Sequence, residues 1–260
     1  MRAISLAKFE EGIVNEDAVV AKDNVIAVSD GAGGGGVFAE RWSQYLVNHV
    51  PDKPIKNYKS FDKWIDSIWE NFYNECEDEA KKIGGMFLNK FYDEGSFATL
   101  VAVWKNGMWI SYGDSVAFCY NKKTGELQHS FTRLSDFNNP PYLINCKDPL
   151  NEKGFRSGKF KITKDCVVFA TSDTLAHYIL MMYEVTHSEK YMEELRDATN
   201  AQTKNSNFIK TAMAFNGVAF EKNVIQTMSS CNQEFLLRNH IKGLRKKGLI
   251  GHDDYSLTIL

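Results

Sequence analysis

Short apolar runs separated by polar turns occupy the first thirty residues, a pattern typical of β-strands. The runs cover residues 4–9, 18–22 and 25–29. A turn of unusually high glycine content follows directly, at residues 31–36. The chain is therefore predicted to begin with three strands and a loop whose backbone passes close to another group.

Helical spacing replaces the strand pattern after this loop. Over residues 37–50, apolar side chains recur every three or four positions along one face. A second, longer helix is predicted over residues 61–83, with Ser60 as its cap. The Gly84-Gly85 pair is expected to end this helix.

Strand-like runs return beyond residue 95. Residues 97–104 and 108–120 are predicted to form two strands joined by Asn106-Gly107, a dipeptide typical of tight hairpins. Residues 131–160 have no clear period, which predicts an irregular surface excursion.

The rest of the chain contains a compact strand, a helical stretch and a closing strand, at residues 166–171, about 175–247 and 255–260. Hairpin-linked strands separated by whole blocks of helix favour antiparallel sheets covered by helices over serial β-α-β units. The strands at both ends of the chain are expected to share one core. We therefore expect residues 1–260 to form a single α+β domain.

The overall composition argues against several classes of function. The 260 residues carry 31 basic and 33 acidic side chains, without the basic excess that nucleic acids or anionic membranes attract. Five scattered cysteines include no CxxC pair, which excludes zinc ribbons and thioredoxin-like sites. The sequence shows neither a signal-peptide pattern nor a run of about 20 apolar residues. We expect a cytoplasmic protein that binds neither nucleic acid nor membrane.

The glycine-rich loop fits more than one kind of site. Gly31, Gly33 and Gly36 satisfy the GxGxxG spacing of dinucleotide-binding loops. That fold needs a second parallel strand with an acidic residue soon after the helix, and none follows here. Asp30 would also repel a pyrophosphate at the mouth of the loop. An aspartate beside glycine carbonyls instead offers hard oxygen ligands for Mg²⁺ or Mn²⁺, and we favour this interpretation over a plain turn.

Aspartates border nearly all the strong apolar strands of the sequence. They are Asp17, Asp30, Asp114, Asp173 and Asp253. A carboxylate beside a hydrophobic strand loses hydration, which is costly unless the charge is paired. No matching lysines or arginines flank these strands, so bound divalent metal is the simplest way to neutralise the acids.

Each acidic residue also has a purely structural interpretation. Asp173 could be the N-cap of the helix that follows. For that residue taken alone, helix capping and metal binding explain the sequence equally well. Asp30 could open its turn, Glu16 could be a solvated charge, and Asp254 could be a turn residue. Only the recurrence at strand ends favours a shared site.

Six short motifs occur in a fixed order between residues 15 and 260. They are Asn15-Glu16-Asp17, Val28-Ser29-Asp30-Gly31, Gly95-Ser96-Phe97-Ala98-Thr99, Gly113-Asp114-Ser115, Thr171-Ser172-Asp173 and Asp253-Asp254-Tyr255-Ser256. Each motif is weak alone, but the ordered series resembles the type 2C, or PPM-type, metal-dependent protein serine/threonine phosphatases.

This resemblance implies a four-layer α-β-β-α sandwich, in which two antiparallel sheets pack face to face with helices outside. It also implies two Mn²⁺ or Mg²⁺ ions at one end, with Asp30 as the bridging ligand. The other implied metal-binding residues are Asp17, Asp173 and Asp253, Gly31 through its carbonyl, Glu16 through a bound water, and Asp114 at a third, weaker metal.

The implied activity is hydrolysis of phosphoserine and phosphothreonine esters in proteins. The two metal ions would activate a bridging water for direct attack on phosphorus. Residues 131–160 fall where the family carries a variable flap beside the site. We expect a monomeric signalling enzyme whose partner is a phosphorylated protein, and whose implied catalytic residues are Asp17, Asp30, Asp173 and Asp253.

Four positions depart from the family pattern: Gly12, Val116, Thr174 and Asp254. The first two stand where arginines are usual, the third where glycine is usual and the fourth where asparagine is usual. Phosphate binding is thus affected more than metal binding, and Lys8 or Arg41 could supply the missing cation. Two alternatives stay open: a phosphatase-like binding module with weak turnover, and a phosphatase of a small phosphorylated molecule.

Overall fold

The computed structural model describes residues 1–215 and 219–260. Strands open the chain and a block of helices follows. The strands are β1 (Arg2–Leu6), β2 (Asp17–Ala21) and β3 (Val25–Asp30), and the helices are α1 (Ala39–His49), α2 (Tyr58–Asp66), α3 (Trp69–Ile83) and α4 (Gly85–Glu94).

The second half repeats this order, with strands first and helices after them. The strands are β4 (Phe97–Ala98), β5 (Leu100–Trp104), β6 (Met108–Tyr112), β7 (Val116–Asn121), β8 (Glu126–His129), β9 (Ile144–Asn145), β10 (Phe155–Lys159) and β11 (Cys166–Thr171). The helices are α5 (Asp173–Thr186), α6 (Ser188–Asn200), α7 (Lys204–Ala214), α8 (Thr227–Ser230) and α9 (Glu234–Lys246), and β12 (Tyr255–Ile259) closes the chain. Within the described ranges, no helix combines the length and apolar character that crossing a membrane requires.

Two antiparallel sheets of five strands form the centre of the structure. One has the strand order β1-β12-β11-β7-β8, and the other has the order β10-β6-β5-β3-β2. Strand β1 pairs with β12 from Arg2↔Ile259 to Leu6↔Tyr255. The first and last strands of the chain are therefore direct neighbours, whereas the sequence predicted only that they share one core.

The alternation of side chains along β3 shows how the layers form. Val25 and Ala27 face a core shared with α1–α4, whereas Ile26 and Val28 face a core between the two sheets. Successive side chains of a strand point to opposite faces, so β3 is buried on both. The inter-sheet core is completed by Val101, Val103, Ala117, Cys119, Phe160, Val168 and Ala170.

Helices cover the outer face of each sheet. Trp42 and Phe61 belong to the core beneath α1–α4, and Leu175 and Ile241 belong to the core beneath α5–α9. Full burial of one such apolar side chain contributes about 1.5–3 kcal/mol to stability. The four-layer α-β-β-α arrangement predicted from the sequence is confirmed.

The long helix predicted over residues 61–83 is wrong in detail, because it is two helices. Ser67 closes α2, and its hydroxyl also donates to the Trp64 carbonyl at 2.6 Å. The backbone leaves the helical conformation at the next residue, Ile68, with φ −120°. Asn57, not Ser60, is the N-cap of α2, since its side chain accepts the Ser60 N–H. Gly84 ends α3 with φ +69°, as predicted, but Gly85 then begins the unpredicted α4.

The single strand predicted over residues 108–120 is also two strands, β6 and β7, and they belong to different sheets. Gly113 lies at the crossover with φ +95°. A Cβ atom there would stand 2.7 Å from Thr99 Cγ2 and 2.8 Å from the Tyr142 carbonyl. The predicted excursion at residues 131–160 is largely irregular, but it ends in β10, which pairs with the edge of β6.

Candidate functional site

The end of the β2–β3 pair brings two carboxyl groups face to face. The pairing register places Asp17 directly opposite Asp30. Thr99 fixes the backbone here, because its N–H donates to the Asp30 carbonyl at 2.8 Å and its Oγ1 accepts the Asp30 N–H at 3.2 Å. Like charges directly opposite each other destabilise an antiparallel pair, so this register has an energetic cost.

Asp17 is the most deeply placed of these acids, with only 6% of its surface exposed. In the described part of the chain, neither carboxylate oxygen has a hydrogen-bond partner of good geometry. Burial raises the pKa of Asp17 well above its ordinary value, and the nearby hydroxyls of Ser172 and Ser256 counter this only in part. An ionised Asp17 therefore needs a cation that the protein does not itself supply.

Asp30 stands at the centre of the acidic group. Its pKa is raised well above the ordinary value, first by burial and then by the charges of the other acids, Asp17, Asp173, Asp114 and Asp253. The structure therefore brings together the five aspartates that the sequence placed at strand ends. We call these five residues the acid cluster.

Asp173 and Asp253 reach the acid cluster from β11 and β12. Asp173 is the first residue of α5, and burial together with the charge of Asp253 raises its pKa to about 6. The N-cap position belongs to Ser172, whose side chain makes no capping bond, while Asp173 Oδ1 accepts the Thr174 N–H in the first turn. Ser172 Oγ accepts the Ser256 N–H at 3.1 Å and so ties the end of β11 to the start of β12.

Asp114 enters the acid cluster from the crossover between β6 and β7. Burial, and next the charge of Asp173, raise the pKa of Asp114 to about 8, while the Arg156 guanidinium lowers it in part. The neighbouring Ser115 hydroxyl lies 2.7 Å from Thr99 Oγ1. The motif around Asp114 is thus joined to the β4–β5 segment that also holds Asp30.

The glycine-rich loop packs against Glu16. A Cβ atom at Gly31 would stand 2.7 Å from the Glu16 carbonyl, and one at Gly33 would stand 1.9 Å from Glu16 Oε1. Burial raises the pKa of Glu16, and Lys8, whose Nζ lies 4.0 Å from Glu16 Oε2, partly offsets this. Glycines at these positions let the loop and the Glu16 carboxyl approach the acid cluster closely.

Asp254 joins separate segments of the chain through hydrogen bonds to their backbone. Its Oδ1 accepts the Lys8 N–H and its Oδ2 accepts the Glu16 N–H, each at 2.7 Å. A carboxylate that accepts two backbone donors holds the segments around β1 and β2 beside the start of β12. The sequence suggested a turn residue, but these contacts are long-range and Asp254 instead joins distant segments of the chain.

The departures noted in the sequence have clear positions. Gly12 has φ +78° and nothing within 4 Å of its Cβ position, and Val116 is fully buried in β7. Of the two cations suggested as replacements, Lys8 lies beside Glu16. Arg41 lines a cleft that also contains Asp17, but its guanidinium bonds Glu79.

Arg156 lies near the acid cluster and was not singled out in the sequence. From β10, its guanidinium donates to the Gly113 carbonyl and to Thr132 Oγ1, the latter at 3.2 Å. It also lies over the Phe131 ring, 4.9 Å from the centroid. No motif marks Arg156, and the residues around it have too little periodicity to predict an edge strand that reaches back to Asp114.

The donors of the acid cluster suit a hard divalent cation. Carboxylate and carbonyl oxygens are the ligands that Mg²⁺ and Mn²⁺ prefer, and the unpartnered oxygens of Asp17 are of that type. Over residues 1–215 and 219–260, no three His, Cys, Asp or Glu side chains are already arranged to hold a metal ion. The cluster is thus a set of mutually repelling acids, and its chemistry fits a metal without a preformed coordination shell.

Two cavities flank the acid cluster. One, of about 210 Å³, contains Asp114, Lys153 and Arg156 and is walled by Pro140, Pro141 and Tyr142. The other, of about 160 Å³, contains Asp173 and Asp253. A ligand could therefore approach the acids from either side.

Comparison with known proteins places the fold. No family model matches the sequence, and no curated protein matches it. Similar solved structures include the PPM Ser-Thr phosphatase MsPP from Mycobacterium smegmatis in complex with cacodylate, with a TM-score of 0.52 and 13% identity over 100% of this chain and 97% of that one. The catalytic domain of the phosphatase PstP in complex with two manganese ions gives 0.51 and 15% over 100% and 97%.

A third similar structure is the Mycobacterium tuberculosis serine/threonine phosphatase PstP/Ppp, with a TM-score of 0.51 and 14% identity over 99% of this chain and 96% of that one. All three likenesses span nearly the full length of both chains, and at these identities they bear on the fold. The chain therefore has the fold of the PPM-type serine/threonine phosphatases.

Proposed function

We propose that this chain is a metal-dependent phosphatase that hydrolyses phosphoserine and phosphothreonine esters in proteins. The observation that carries the proposal is the buried pairing of Asp17 with Asp30, in which the Asp17 oxygens have no partner in the described residues. Such a pairing is costly unless a cation binds there. The shared fold supports the class of reaction, since the similar structures are phosphatases.

Charge balance supports divalent cations in particular. In the described part of the chain, no Lys or Arg nitrogen lies within 4.0 Å of a carboxylate oxygen of the acid cluster. The five carboxyl groups raise one another's pKa by charge repulsion, and two doubly charged ions would remove that repulsion with the carboxylates ionised.

Residues of the acid cluster and its immediate neighbours would together hold two Mn²⁺ or Mg²⁺ ions. Asp30, central among the acids, would contact both, and Asp17, Asp173 and Asp253 would each contact one. The Gly31 carbonyl, Glu16 through water, and Asp114 at a third, weaker site would complete the set. When bound, such ions stabilise charge on phosphoryl oxygens and make a water nucleophilic at neutral pH.

The surrounding residues keep these ligands in place. Thr99 holds both the carbonyl and the N–H of Asp30, and Asp254 joins the start of β12 to the segments that lead into β2. Fixed positions for the charged groups matter, because electrostatic catalysis depends on groups that do not reorganise during the reaction.

The absence of arginine at Gly12 and at Val116 favours a second candidate, a phosphatase-like binding module with weak turnover. Both functions require the same acid cluster, and turnover distinguishes them. The monomeric state and the cytoplasmic location of the protein stay predictions.

The test measures hydrolysis of p-nitrophenyl phosphate and of a phosphothreonine peptide with Mn²⁺ and then with EDTA. We expect activity that depends on Mn²⁺, and we expect Asp30→Asn to lower it by at least about a hundredfold, because a shared metal ligand is lost. Asp78→Asn, on the exposed face of α3, is the matched control and should leave the rate unchanged.

Binding of Mn²⁺ measured by calorimetry separates the two candidates. Metal binding without turnover would favour the binding module, and absence of metal binding in the wild type would sink both. A small-molecule substrate would show as hydrolysis of p-nitrophenyl phosphate but not of the peptide.

A further inference from the structure

A small polar cavity lies between the acid cluster and the helices α5 and α7. Its volume is about 160 Å³, and Asp173 and Asp253 form one wall. Other side chains complete the cavity, and most are polar: Thr174, His177, Lys204, Asn205 and His252, with Phe137 and Phe208 at the edge. We call it the histidine pocket.

Two helix N-termini meet at the histidine pocket. α5 begins with Asp173 and Thr174, and α7 begins with Lys204 and Asn205. The first N–H groups of a helix have no acceptor within it, and the helix dipole makes this end attractive to anions. In α5, Asp173 Oδ1 already accepts the Thr174 N–H. In α7 the Thr203 side chain accepts the N–H of Ser206, the third residue of the helix. Lys204 and Asn205, the two residues before Ser206, line the pocket.

His177 gives an independent sign of a ligand. Only 5% of its surface is exposed, and its Nε2 has no hydrogen-bond partner among the described residues. The ring is held edge-to-face by Phe137, with centroids 5.5 Å apart, and by Phe208 at 6.3 Å. A buried polar atom without a partner destabilises the fold, and a ligand in the pocket that bonds this nitrogen would remove that cost.

The charges around the pocket select the kind of ligand. Lys204 and the N-terminus of α7 attract an anion, and a neutral imidazole can donate one N–H to it. The carboxyl groups of Asp173 and Asp253 on the opposite wall repel an anion unless cations neutralise them. An anion that also binds cations held by the acid cluster would be attracted by both walls of the pocket.

We propose that the histidine pocket binds the phosphoryl group of the substrate, with Lys204 and His177 as donors to its oxygens. The inference rests on the proposed function, because the phosphoryl group must lie against a metal-loaded acid cluster. Inorganic phosphate, the product, should occupy the same pocket. Lys204 and His177 are thereby specificity-determining residues that the motifs do not include.

The experiment compares binding of inorganic phosphate to the full chain by calorimetry, with Mn²⁺ and with EDTA. We expect Lys204→Met to raise the phosphate Kd and the KM for the phosphopeptide by about tenfold, which corresponds to one charge-assisted hydrogen bond. His177→Phe keeps an aromatic ring between Phe137 and Phe208 and should raise both constants similarly. Lys210→Met, an exposed change on the same helix, should alter neither.

The outcomes separate this inference from the proposed function. Metal-dependent hydrolysis with an unchanged phosphate Kd in Lys204→Met would overturn the pocket and leave the function standing. Phosphate binding that needs both Mn²⁺ and Lys204, without hydrolysis, would support the pocket and remove the enzyme. Equal phosphate binding with EDTA would also overturn the pocket, because the acids should then repel the anion. A Mn²⁺ titration and a melting curve show whether each variant is folded.

Discussion

At the scale of single residues, the acid cluster depends on neighbours that differ from it in chemistry. Asp30 and Asp173 lose hydration at the ends of apolar strands. Beside them, the Arg156 guanidinium donates to the Gly113 carbonyl, and His177 has a nitrogen without a partner among the described residues. Arginines and histidines occur on many surfaces and helices, so no motif in the sequence marks these two residues.

Glu184 is a buried acid outside the acid cluster, and it makes stability depend on pH. It lies in α5 with 3% of its surface exposed, and burial, then the charge of Glu194, raise its pKa to about 8. The folded protein therefore binds a proton more tightly than the unfolded chain does. Stability contributed by protonated Glu184 is full at low pH and is lost as the pH rises through about 8.

We predict that Glu184→Gln flattens this dependence. Between about pH 5 and about pH 9, the wild type should lose on the order of 2–4 kcal/mol more unfolding free energy than the variant does. Urea unfolding in EDTA measures this difference. The pH dependence that comes from the acid cluster is the same in both proteins, so it cancels in the comparison. Glu189→Gln, an exposed change at the start of α6, should follow the wild type. Parallel curves for wild type and Glu184→Gln would show that Glu184 is ionised in the folded state.

At the scale of secondary-structure elements, apolar periodicity located most strands and helices but not the points where they break. Residues 108–120 keep one strand-like pattern, yet the chain changes sheets within them. The reason is local: Gly113 has φ +95°, a conformation that no pattern of apolar residues encodes. The division between α2 and α3 is similar, because the backbone leaves the helical conformation at Ile68, an apolar residue that does not interrupt the helical pattern.

We predict that Gly113→Ala strongly weakens this crossover. The left-handed backbone is strained for alanine, and the new methyl would meet Thr99 Cγ2 at 2.7 Å and the Tyr142 carbonyl at 2.8 Å. The expected loss is about 2 kcal/mol or more of unfolding free energy. Urea unfolding checks this. Gly34→Ala is the control, since nothing lies within 4 Å of its Cβ position, and equal losses in the two variants would contradict the role of Gly113.

At the scale of the whole molecule, the acid cluster is assembled from both sheets and from both ends of the chain. Asp17 and Asp30 come from one sheet, while Asp173 follows β11 and Asp253 precedes β12 of the other. Hairpin-linked strands and blocks of helix predicted antiparallel sheets with helical covers, and the family resemblance implied that there are two sheets packed face to face. The register that sets Asp17 opposite Asp30 was not predictable, because a shift of one residue changes nothing in the composition of a strand and yet turns every side chain over.

This arrangement predicts that metal binding stabilises the entire fold. Ions held by residues of both sheets bind only the folded chain, so free Mn²⁺ at about 100 times its Kd should add about 2.7 kcal/mol. For a chain of this size, that corresponds to a rise in Tm of roughly 5–10 °C. A thermal melt with Mn²⁺ and with EDTA measures the shift.

Two aspartate variants test whether this shift belongs to the acid cluster. Asp30→Asn should abolish it, because the central acid is lost. In EDTA, Asp254→Asn should melt at a lower temperature than the wild type, because the asparagine amide has only one oxygen to accept the two backbone N–H groups. The variant should still keep the Mn²⁺ shift. If Asp30→Asn kept the full shift and Asp254→Asn lost it, the metal would bind beside Asp254 and the division between metal-binding and structural acids would be wrong.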